Sequence, residues 1–187
     1  MEAPAQSQRY PAQTTEILDQ YRATWGGRIS EERLLTKVLW SGEIEDFTGF
    51  DVSMVYDYIA NNITYCCDDS TLAALIIQTA ARLPRDVRAF VFDRCVFLSA
   101  GRMLYGMVLP GATAKPETWI ILLSERMHGD DLHSFIAHEI AHAWLGHDRL
   151  SPEVPVDHET QAANLAQQWG FIGRGADARH CNAYMRR

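Results

Sequence analysis

Apolar residues recur at helical spacing through three stretches in the first half of the chain. Ser30-Glu31-Glu32 opens the first, Leu34, Leu35, Val38 and Leu39 form its stripe, and Ser41-Gly42 stops it. The second runs from about Asp51 to Ala60, with Val52, Val55, Tyr56 and Ile59 on one side. The third follows Asp68-Asp69-Ser70, which supply a cap and favourable charge, and carries Leu72, Leu75, Ile76 and Thr79 toward Pro84. Ahead of them, residues 1–15 are Pro, Gln, Ser and Ala without periodicity, which predicts disorder.

At Val87 the pattern shortens. Val87 to Phe92, Cys95 to Ser99, Met103 to Leu109 and Trp119 to Leu123 are short Val, Phe, Ile and Leu runs, divided by Asp93-Arg94, Gly101 and Pro110-Gly111. They predict three or four strands. A longer apolar run from Leu132 to Leu145 predicts a helix buried around much of its circumference, and a last helix is expected from about Val156 to Trp169, stopped by Gly170. The fold class expected is α+β, with a small mixed or antiparallel sheet packed on the 132–145 helix and a helical N-terminal lobe. The expected division is a tail over 1–15, the lobe over 16–86 and a core domain over 87–187.

Composition narrows the function classes. A formal net charge of −7 and a pI near 5.4 argue against binding nucleic acid by phosphate neutralisation; Arg174, Arg179, Arg186 and Arg187 read as a solvated tail. No run approaches the ~18 apolar residues of a membrane span, and the first residues hold no apolar signal-peptide core. Cys66, Cys67, Cys95 and Cys181 contain no CxxC pair, so neither a structural zinc site nor a secreted disulfide framework is expected. Vicinal Cys66-Cys67 reads as a small buried pair, and a cytoplasmic, reducing setting is the expectation.

The chemistry sits in His138-Glu139-Ile140-Ala141-His142. Residues four apart share a helix face, so His138 and His142 can offer two imidazole nitrogens to one zinc ion, about 2.0–2.1 Å from each. Glu139 stands about 100° further round, where it can overhang the ion without binding it and act as general base toward an attacking water. A catalytic zinc site usually has three protein ligands. His147 lies about 140° from His142 if the helix continues, and binds only if Gly146 ends the helix and returns the chain. Asp148 occupies the metzincin slot, but that pattern needs Gly where Leu145 stands. Glu159 is the choice, because Ala162, Ala163, Ala166 and Gly170 give its helix a nearly bare face for close approach.

His138-Glu139-x-x-His142 followed by Glu159-x-x-Ala162-x-x-x-Ala166 resembles the gluzincin pattern, and the segment from Val87 to Phe171 is similar to the ImmA/IrrE-type minimal metallopeptidases. The resemblance implies a zinc metalloprotease acting on a protein or peptide substrate, which in that group includes regulatory proteins. The pattern often carries Asp or Asn after its first Ala, where it braces a ligand; this chain has Ala163, so bracing must come from another group. An extended substrate is expected along the sheet edge at Trp119 to Leu123, and Tyr105, His158, His180 and Tyr184 are candidate oxyanion donors. The competing expectation is a zinc-containing protein-binding or sensory module with little peptidase activity; a SprT-like protease would need a third His and a basic patch.

Overall fold

The computed structural model describes residues 10–25, 27–67, 69–100, 106–110, 118–124, 132–147 and 157–173. The chain divides into two compact units, the sequence boundary falling between Asn61 and Asn62. The first contains α1 (Ala12–Trp25) and α2 (Glu31–Trp40), and α3 (Val52–Asn62) leads out of it. Ser30 caps α2 by accepting from the Arg33 N–H, and Gly42 at φ 74° turns the chain off its end. Ile17 and Leu18 of α1 are buried, as are Leu34, Val38 and Leu39 of α2, and these two helices pack on each other. The expected disorder of 1–15 is therefore wrong for its last residues, since α1 begins at Ala12; residues 1–9 lie outside the described residues.

The second unit holds β1 (Thr64–Cys66), α4 (Ser70–Arg82), α5 (Arg85–Arg94), β2 (Cys95–Ser99), β3 (Gly106–Pro110), β4 (Trp119–Leu123), α6 (Leu132–Leu145) and α7 (Asp157–Gln168). Within this unit α4 packs on α6. Asp69 caps α4, its carboxylate accepting from the N–H groups of Thr71 and Leu72. The expected strand from Val87 to Phe92 is a helix instead. Val87 and Val91 are buried one turn apart, and Cys95 then begins β2 without a loop.

The expected α+β class is observed, with a mixed four-stranded sheet ordered β1-β2-β4-β3. The β1–β2 and β2–β4 pairs are parallel and β3–β4 is antiparallel. Register aligns Phe97, Ile121 and Val108 in one row across three strands, and all three are fully buried. Their strand neighbours Val96, Leu98, Ile120 and Leu122 are half-buried, so the two central strands are apolar on both faces. Helix α6 packs on β3 and β4, and α5 packs on β2. Among the described residues no helix is long and apolar enough to cross a membrane.

The vicinal cysteines are not a buried pair. Cys66 is exposed on β1 and Cys67 half-buried, its thiol donating to the Asp69 carbonyl at 3.2 Å; among the described residues only Cys95 is a buried cysteine, and burial pushes its thiol up from the ordinary range. Because the thiolate is the reactive form, iodoacetamide is expected to alkylate native Cys66 rapidly and Cys95 only after unfolding. Peptide mapping along a labelling time course measures both rates, and equal rates would contradict the burial of Cys95.

Candidate metal centre

Helix α6 lies inside the unit, with every residue from Ile136 to Ala143 buried, His133 and Phe135 half-buried, and its last turn exposed at Trp144 and Leu145. Such a helix takes its polar side chains into a dry setting, where each needs a partner. His138 and His142 are fully buried, and Glu139 is 1 % exposed. Helix α7 meets α6 through a face of Glu159, Ala162, Ala163 and Ala166, all buried. The small side chains allow close approach, and the two expected flanking residues, Leu165 and Trp169, are half-buried beside that face.

The expected set comes together. His138 Nε2 lies 3.2 Å from Glu159 Oε2, His142 Nε2 lies 3.5 Å from Glu159 Oε1, and the two imidazole Nε2 atoms are 3.0 Å apart. These three residues form a buried group that could hold a metal ion. Donors about 2.0–2.1 Å from a tetrahedral ion stand about 3.3 Å from one another, close to all three spacings. Two nitrogen lone pairs facing at this distance repel unless a proton or a metal cation lies between them. The Glu159 carboxylate supplies the compensating negative charge.

Glu139 projects from the same turn without joining that set. Its Oε2 is buried and has no hydrogen-bond partner among the described residues. An unsatisfied buried carboxylate oxygen is costly and rare.

The end of α6 resolves the position of His147. Gly146 adopts φ 71°, a left-handed conformation that suits a residue without Cβ, and the chain reverses there. The Gly146 N–H donates to the Ala143 carbonyl at 3.1 Å and the His147 N–H donates to the His142 carbonyl at 3.0 Å. This pair of bonds is the Schellman motif, in which the residue after the glycine packs against the residue five before it. Here those residues are His147 and His142. The expectation that His147 turns away is therefore corrected: the helix stops, and His147 returns to the site. It remains outside the ligand group, because its Nδ1 meets His142 Nδ1 at 3.0 Å, the nitrogen across the ring from Nε2.

His158 stacks on His147 with ring centroids 3.9 Å apart and planes 2° apart. The other candidate oxyanion donors, Tyr105, His180 and Tyr184, lie outside the described residues, as does Asp148. The expected substrate edge is also corrected. Trp119 to Leu123 form β4, an interior strand between β2 and β3, so among the described residues the edges are β1 and β3. Neither family models nor characterised proteins nor solved structures give a match to this chain.

Proposed function

We propose that this chain is a zinc metallopeptidase that hydrolyses peptide bonds of a protein substrate. The observation that carries the reading is the buried convergence of His138 and His142 from α6 with Glu159 from α7, while Glu139 stands beside them with an unpaired oxygen. Two imidazoles and one carboxylate are a donor set of catalytic zinc sites, which keep a fourth position open. The resemblance to the gluzincin pattern and to the ImmA/IrrE-type group adds support. Zinc bound there would polarise a substrate carbonyl and lower the pKa of water at the open position toward about 7.

In this reading each residue of the chain has a separate task. His138, His142 and Glu159 hold the ion, and the carboxylate offsets half of its charge. Glu139 takes the proton of the attacking water on its unpaired oxygen and passes it to the leaving amine. Burial keeps bulk water from competing for that proton and strengthens each charge interaction. The extended substrate pairs with edge strand β3, which packs with β4 against α6.

Metal analysis of the purified protein, followed by incubation with cell extract and mapping of new termini, tests the proposal. Stoichiometric zinc is expected, with new termini that disappear with chelator. Zinc without new termini would favour a metal-holding protein-binding or sensory module, and absence of zinc would reject the metal site itself.

A further inference from the structure

The two ring nitrogens of His142 have different neighbours. Nε2 faces His138 and Glu159, whereas Nδ1 meets His147 Nδ1 at 3.0 Å, and His147 Nε2 lies 3.1 Å from Gln161 Oε1. An amide oxygen only accepts, so this contact is met when His147 carries its proton on Nε2 and donates it to Gln161. A neutral imidazole protonated on Nε2 presents a bare lone pair at Nδ1. The hydrogen bond between the two Nδ1 atoms then requires His142 to be the donor. That places the His142 proton on Nδ1 and leaves its Nε2 lone pair directed at the donor group.

We propose that His147 is a positioning residue that fixes the tautomer and ring orientation of His142 through a chain ending at Gln161 on α7. The inference rests on the metal reading above and adds a residue outside its ligand set. His147 suits the task because it is 5 % exposed and stacked on His158, so its ring is held rather than free to turn. The Schellman reversal at Gly146 aims it at His142, and Gln161 ties it to the helix that supplies Glu159. It also supplies the bracing that the sequence lacks at Ala163, a position buried against α6 with no polar group to offer. Outer partners of this kind orient a metal-binding imidazole and raise its basicity, and their loss typically lowers metal affinity about 10–100-fold.

Two substitutions separate positioning from packing. His147→Phe keeps a ring to stack on His158 but removes the acceptor, whereas His147→Asn loses the ring and retains an oxygen near the place of Nδ1. Zinc affinity by chelator competition is expected to fall about 10–100-fold for His147→Phe and to stay near wild type for His147→Asn. A packing role predicts the reverse order. Nitrogen-15 spectra of the zinc-loaded protein should show His142 protonated at Nδ1 and His147 at Nε2. Gln161→Leu, which leaves both rings in place, should weaken zinc binding in the same direction should either His147 variant fail to fold. Wild-type affinity in His147→Phe, or a proton on His142 Nε2 in the loaded protein, would overturn the inference alone, provided that His138→Ala abolishes binding. Failure of the wild type to bind zinc would overturn the metal reading and this inference together.

Discussion

Glu139→Gln is expected to retain zinc and the fold while lowering kcat/KM for a verified substrate by about 10²–10⁴-fold, the usual contribution of a positioned general base. The amide occupies nearly the same volume, so the packing of a side chain that is 1 % exposed is preserved. It cannot take a proton at the oxygen that the carboxylate leaves unpaired. Stability is expected to hold or to rise, because a neutral group replaces a buried acidic one and groups kept for catalysis are often costly to the fold. Zinc content, thermal midpoint and steady-state rate on the same preparation decide the matter. A variant that cleaves as fast as the wild type would remove Glu139 from the mechanism.

Glu159→Ala is expected to weaken zinc binding well beyond the ~100-fold upper range typical of outer-sphere changes. The substitution removes the only carboxylate of the donor group and leaves two imidazoles to hold a divalent cation in a dry site. It should leave the helix intact, since Ala has the highest helix propensity and Ala162, Ala163 and Ala166 already form that face. Competition with a chelator at one pH, compared with His147→Phe, separates loss of a ligand from loss of a brace. If Glu159→Ala bound zinc like the wild type, the gluzincin reading would fall and the third donor would have to come from elsewhere, Asp148 being the remaining sequence candidate.

The site was legible because its parts are local and periodic. Spacing alone places His138 over His142, and the alanines down the face of Glu159 mark a helix built for close approach. His147 was half legible: Gly146 in a helical run is a stop signal, and the residue after a Schellman glycine packs five positions back. Continuing the helical wheel through that glycine gave the wrong direction. Residues 87–92 misled for a related reason. Their Val and Phe content resembles a strand, but Pro84 followed by Asp86 opens a helix, and Val87 with Val91 is a helical pair. Helix α1 was hidden by a sequence whose apolar residues, Ile17, Leu18, Tyr21 and Trp25, are few and set among polar ones, and β1 by three exposed residues without alternation. Strand order was not readable at all. Nothing in β3 indicates that it joins the far side of β4 while β2 takes the near one, because pairing partners are chosen by packing rather than by local sequence.

The alanine face of α7 has a consequence for how the chain comes apart. Alanine methyls bring two backbones together but remove little oily area from water, about 0.8 kcal/mol for each buried carbon. Phe171, buried beyond Gly170 with Arg82 over its ring at 4.5 Å, pins the far end of the segment. Its near end is fastened by Glu159 against the two histidines, with His158 and Gln161 against His147. A bound ion would therefore act as a clasp between distant parts of the sequence, and its departure would release the start of α7 before the sheet or α6 loosened. Amide exchange over 157–168 should then rise and fall with free zinc, making this helix the first place where a metal-starved copy becomes accessible to proteolytic turnover.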